Sequence, residues 1–207
     1  AMTSPHELMN RCAALDIAPT EQRRHFARAV LALPPSSKPR GELVYSNAGF
    51  VLAGHVAEVA TGKPWEELME KLLFEPLGMK TADPRFDEAG HFIGASYCPC
   101  SGLDFARFGL LFLRDGVWDG TRILPEGWVD YCRTSSPQSD GLYGAHFWVT
   151  PGSLGLFSCQ GAWGQRILIV PKLDLVVVRL GQTSPHKVGA VVQYCKELVD
   201  VFRPTGG

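Results

Sequence analysis

The sequence has no excess of either charge: 20 basic residues face 21 acidic ones, for a formal net charge of −1. With no basic stripe or cationic tail, no nucleic acid and no anionic membrane surface is expected as a partner. No apolar run approaches the roughly 20 residues that a membrane span needs, so no span is expected. Ala1-Met2-Thr3-Ser4-Pro5-His6 has neither a positive n-region nor an apolar h-region. It does not read as a signal peptide, and the compartment stays open with cytoplasm as the default. There is no internal repeat and no low-complexity tract. The cysteines Cys12, Cys98, Cys100, Cys132, Cys159 and Cys195 are irregularly spaced, and a chain of 207 residues does not depend on a disulfide framework. Cys98-Pro99-Cys100 is the one close pair, and no second pair or matched histidines follow it. No metal and no cofactor is therefore expected, and the cysteines read as reduced and structural.

What is present is a run of helical patterns followed by strand patterns. Thr20 is a candidate N-cap for a helix with Phe26, Ala29, Val30 and Leu33 on one face, stopped by Pro34-Pro35. A second helix is expected from about Ser46 to Ala60, ended by Thr61-Gly62. Pro64 opens a shorter one, Trp65 to Phe74, closed by Pro76-Leu77-Gly78, and Asp83 to Ile93 reads as loop. Ser101 and Asp104 form a capping-box-like start for the apolar helix Phe105 to Leu113. Asp115-Gly116 and Asp119-Gly120 mark turns around Val117-Trp118, and a helix follows from Pro125 to about Cys132. Strands are expected at Ala145–Thr150, Gly155–Cys159, Arg166–Val170 and Leu175–Leu180, with Pro171–Asp174 as a hairpin turn. A helix from Lys187 to Phe202 closes the chain. Helices, then an antiparallel meander, then a packing helix predict an α+β domain. We expect one domain over 1–207, mainly helical over 20–142 and sheet with a C-terminal helix over 143–203.

Tyr45-Ser46-Asn47 stands at a loop-to-helix junction. Acyl transfer needs a nucleophile, a base and paired N–H donors for the oxyanion. A tyrosine is a base only as tyrosinate, and with an ordinary pKa of about 10 it needs a cation close by. A helix N-terminus also favours the anion. Asn47 offers an amide that can hold both a lysine and a substrate carbonyl. The plainer alternative is an N-cap at Ser46 or Asn47 and a loop anchor at Tyr45.

The stretch from Gly41 to Trp65, then Leu73 to Met79, Asp104 to Trp128, Tyr143 to Trp148 and Gly164 to Val178, resembles serine β-lactamase-related proteins. That family holds class C β-lactamases, DD-peptidases, esterases and nylon-oligomer hydrolases, and the likeness leans to the last two. The resemblance implies a β-lactamase/DD-peptidase-like α+β fold: an antiparallel sheet with flanking helices and a helical lobe. It implies Tyr45 as base, Asn47 beside it, and the N–H of Ala162 as oxyanion donor. It places Gly161, Trp163, Gly164 and Gln165, with Tyr143, along the substrate edge. Read without it, the glycines there could equally belong to a β-bulge or an edge strand. The substrate implied is a small ester or amide, or a peptide.

Two departures stand out. The strand motif that carries a lysine or histidine in relatives is Cys159-Gln160-Gly161 here, which argues against recognition of a β-lactam carboxylate. The family's Ser-x-x-Lys nucleophile should precede Tyr45, and no serine there has a lysine three places on. The only such string is Ser184-Pro185-His186-Lys187, which reads as an N-cap. We therefore expect the N-terminal part of the fold, with its nucleophile, to lie outside these residues. Its absence would leave an exposed edge for that segment or a second copy of the chain to cover. The alternative is a non-catalytic pseudoenzyme or fragment that binds a peptide, a glycan or a partner chain in the remnant groove.

Overall fold

The computed structural model describes residues 5–34, 43, 45–83, 98–152 and 154–204. The expected loops at Ser36–Arg40 and beyond Asp83 fall largely outside these residues. The chain forms two compact units, one of Ala1–Pro76 with Lys80–Cys100 and one of Leu77–Met79 with Ser101–Gly207.

The first unit is helical. α1 spans Pro5–Ala13, α2 Pro19–Leu31 and α3 Asn47–Thr61. Met9, Phe26, Ala48 and Val51 form its apolar core. Ser46 caps α3: its Oγ accepts from the Ala48 N–H at 3.2 Å, and Gly62 ends the helix in the left-handed region. α2 begins one residue before Thr20, after Ala18. The Thr20 hydroxyl is not a cap and instead donates to Glu58 Oε1 at 3.2 Å. The segment after Pro64 runs as α4 (Trp65–Met69), a π-turn at Glu70–Phe74 and α5 (Glu75–Leu77). Pro76 lacks an N–H for the Leu72 carbonyl and its ring crowds that turn, so the helix widens: the Glu75 N–H reaches back to Glu70 O.

Beneath α3 lies a buried ion cluster. The Arg23 guanidinium is fully buried and donates to Glu58 Oε1 through Nε at 3.0 Å and through Nη2 at 2.5 Å. It also grips Glu66 with two parallel bonds of 3.0 and 2.9 Å. Glu58 accepts the Trp65 N–H at 3.0 Å as well. Burial alone would raise the Glu58 carboxyl, but these donors, Arg23 foremost, hold it below the ordinary carboxylate value. A depressed folded pKa stabilises above the unfolded value of about 4.3 and is lost as pH falls through the folded one. Denaturant unfolding below about pH 4.3 should show stability falling steadily. Glu58→Gln should flatten that fall, and an equally steep acid slope in the variant would contradict the assignment.

The second unit is a sheet between helices. β1 (Val117–Trp118) and β2 (Thr121–Arg122) form a small hairpin. Its turn, Asp119-Gly120, has φ of 44° and 76°, the conformation that asparagine, aspartate and glycine tolerate. The main sheet is the antiparallel meander β3-β4-β5-β6: Trp148–Val149, Phe157–Gln160, Arg166–Val170 and Leu175–Arg179. Alternation sorts its two faces. Ile167 and Ile169 meet Phe112 and Phe147 on one side. Leu168, Val170 and Val177 meet Cys195 and Val199 on the other. α6 (Gly102–Leu113) and α7 (Trp128–Arg133) belong to the first layer, and α8 (Val188–Val201) to the second. The strand expected at Ala145–Thr150 is cut to Trp148–Val149, because His146 takes φ 66° and breaks the extended backbone.

α6 lies close on the sheet because Gly109 has no side chain. A Cβ there would stand 2.6 Å from Val176 Cγ1 and 3.2 Å from Ile167 Cγ2. Gly109→Ala should therefore cost about 1–3 kcal/mol by overpacking, against a small gain in helix propensity. Thermal or urea unfolding measures it, and a neutral or stabilised variant would contradict this packing.

Candidate active site

In the first unit Tyr45, Ser46, Asn47 and Ala48 line a recess of about 220 Å3, with Met9 of α1 as the opposite wall. Tyr45 is half exposed and its ring is 6.1 Å from that of Phe50. Asn47 is the first residue of α3, so tyrosine and amide sit at a helix N-terminus. The recess is smaller than the roughly 300–1,000 Å3 of an ordinary ligand pocket, so by itself it is too small for a whole substrate. α1 was not foreseen from sequence, although Ser4-Pro5-His6-Glu7 has the capping-box pattern with proline at the first helical position, and Met9 went unnoticed with it.

In the second unit Gly161, Ala162, Trp163, Gly164 and Gln165 come together in one turn after β4. Ala162–Gly164 is a single 3-10 turn. The Gly161 N–H donates to Gln165 O at 3.0 Å and closes it. Gly161, Ala162 and Trp163 are exposed. Ala162 opens the turn, where an amide has no acceptor inside the helix. Trp163 lies in the left-handed region at φ 54°, ψ 25°. The Gln165 side chain, expected to face substrate, is spent on Gly181: its Nε2 donates to Gly181 O at 2.8 Å and its Oε1 accepts the Gly181 N–H at 2.9 Å. Tyr143 is buried and packs edge-on against Trp148 at 5.0 Å. Tyr45 and Asn47 thus belong to one unit, and Tyr143 with the 161–165 turn to the other.

Sequence reasoning missed Arg166 and Arg179. They sit opposite each other in register on β5 and β6. The visible signal was an arginine at one end of each of two apolar strands.

Neither the Ser184–Lys187 string nor the cysteines supply a good nucleophile. Ser184 and Lys187 are both exposed at a 3-10 turn, and the serine makes no side-chain cap bond. Burial pushes the Cys98 thiol up to about 11 and the Cys159 thiol to about 12. Neither offers a thiolate near neutral pH.

A four-stranded antiparallel sheet between helical layers, with Tyr-Ser-Asn at a helix start, fits a β-lactamase/DD-peptidase-like fold. The Beta-lactamase family model matches residues 9–193. The chain belongs to that family. It is 26% identical over 153 residues to the 6-aminohexanoate-dimer hydrolase of Paenarthrobacter ureafaciens, covering 68% of this chain and 39% of that one. Among solved structures, SurE superposes with a TM-score of 0.73 at 22% identity, covering 92% of this chain and 51% of its own. The octameric penicillin-binding protein homologue from Pyrococcus abyssi has a TM-score of 0.66 at 22% identity, covering 94% and 51%. These structural likenesses bear out the α+β fold expected from sequence. The chain spans about half the length of the curated relatives it matches, between 39% and 53% for the first of them.

Proposed function

We propose that this chain is the C-terminal part of a serine hydrolase that transfers acyl groups from neutral esters or amides. Tyr45 is the general base, Asn47 orients lysine and carbonyl, and the Ala162 N–H donates to the oxyanion. Gly161, Trp163 and Gly164 border the substrate. Nucleophile and lysine come from sequence outside these residues. Both units form one β-lactamase-related domain, whose sheet edge is covered by that upstream segment or by a second copy. The observation that carries this reading is Tyr45-Ser46-Asn47 at the capped start of α3, inside a family match running from residue 9 to 193. A poor fit to a β-lactam carboxylate follows from Cys159-Gln160, which stands where relatives carry a lysine or histidine.

A fluorophosphonate probe tests it. The protein carrying its native upstream sequence should be labelled at a serine upstream of Tyr45, and the 207-residue chain should stay unlabelled. A folded full-length protein that resists the probe would favour the non-catalytic reading, in which the groove binds a peptide, glycan or partner. Hydrolysis of a p-nitrophenyl ester by the 207-residue chain, abolished by Tyr45→Phe, would instead place the nucleophile inside it.

A further inference from the structure

The turn after β4 is held by more donors than its own closure requires. Arg179 Nη1 donates to the carbonyls of Trp163 at 3.3 Å, Gly164 at 3.2 Å and Gly181 at 2.8 Å. Its Nη2 donates to Thr183 Oγ1 at 2.5 Å. The Thr183 N–H reaches Trp163 O at 3.1 Å. From β5, Arg166 Nη1 donates to Gln165 O at 2.8 Å and faces Gly161 O at 3.5 Å. Among the described residues neither guanidinium is paired with a carboxylate, so one positive charge stands on β5, next to β4, and a second on β6 beyond it.

These contacts have a directional consequence. A trans peptide is planar, so an N–H points away from the carbonyl of its own peptide group. The Gly161 carbonyl faces Arg166, which turns the Ala162 N–H the opposite way. Trp163 is bulky and left-handed, a conformation that disfavours itself unless its surroundings impose it. The bonds from Arg179 and Thr183 to its carbonyl impose it. Gly164, at φ 85°, leaves room for the guanidinium, since a Cβ there would lie 3.2 Å from Arg179 Nη1.

We propose that Arg179 is a positioning residue for the oxyanion amide: by fixing the Trp163 and Gly164 carbonyls it locks the turn so that the Ala162 N–H stays presented. Both of its terminal nitrogens are engaged with the protein, so it acts through the turn rather than on substrate. This rests on the oxyanion role given to Ala162 above.

The test uses the full-length hydrolase with Arg179→Gln, Arg179→Lys and Thr183→Val, the last weakening the brace without changing charge. Amide hydrogen exchange at 162–165 should quicken about 10-fold or more in Arg179→Gln, as expected for a locally opened turn. Against a neutral p-nitrophenyl ester kcat should fall by about 10²-fold, the scale of a slightly misplaced catalytic group. KM should stay within about threefold, the pattern of an interaction made in the transition state alone. Arg179→Lys and Thr183→Val should fall between Arg179→Gln and wild type. Unchanged local exchange overturns the brace, and quickened exchange with unchanged kcat overturns its role in positioning. An active wild type with unmoved variants sinks this role alone. An inactive wild type sinks the hydrolase reading and this role together.

Discussion

Arg23→Met should destabilise the chain by about 3–5 kcal/mol, the cost of removing one partner from a buried ion cluster. Methionine keeps most of the stem volume, so the loss reports charge rather than a cavity. The guanidinium has no exposed surface, and its two carboxylate partners are 4% and 18% exposed. Without it Glu58 keeps the Trp65 N–H and the Thr20 hydroxyl as donors, with His55 Nδ1 3.6 Å from its Oε2. Two donors do not offset the burial of a full negative charge. Urea unfolding at pH 7 measures the change. The triple variant Arg23→Met, Glu58→Met, Glu66→Leu should recover most of it, because apolar groups of similar volume often replace a buried ion cluster at little cost. A single-variant loss below about 1 kcal/mol, the worth of a surface pair, would show that water reaches the cluster.

Arg23 also marks where the sequence stopped being readable. In α2 the apolar stripe around Phe26 was legible, because helix periodicity is local. Arg23 on the same helix carries no local mark of its burial. Its partners lie 35 and 43 residues away, and no local pattern encodes them. The meander was legible for the same local reason: apolar runs bounded by Pro171–Asp174 and by glycines. What failed was local backbone geometry imposed from outside. A left-handed His146 shortened β3, and a left-handed Trp163 shaped the turn after β4. Tryptophan gives no signal of that conformation, and histidine, though enriched there with asparagine and aspartate, gives a far weaker one than glycine. Pro76-Leu77-Gly78 was read as the stop, and the helix does end there, at Leu77, but the π-turn before it was not legible. Tyr45-Ser46-Asn47 was readable because Ser46 caps α3 within two residues of itself. The arginines behind Gly161–Gln165 were not, since their targets are carbonyls supplied by the fold.

If Ala162 is the oxyanion donor proposed above, Ala162→Pro should lower kcat of the full-length protein by about 10²–10³-fold, the cost of losing one oxyanion-hole donor. Proline is a rare means of deleting a single backbone N–H, and this position can accept it. Ala162 is the first residue of its 3-10 turn, where proline is tolerated and no turn hydrogen bond is lost. The residue before it, Gly161, already has φ −106° and ψ 170°, the extended region that precedes proline. The fold should therefore survive, as circular dichroism and an unchanged melting temperature would show. A folded variant with wild-type kcat would remove Ala162 from the oxyanion site. Combining Ala162→Pro with Arg179→Gln sharpens the result. If Arg179 serves catalysis only by presenting this N–H, the double variant should lose no more than the proline variant alone, since residues acting as one unit are not additive. Fully multiplicative losses would mean that Arg179 reaches the reaction by a route other than Ala162.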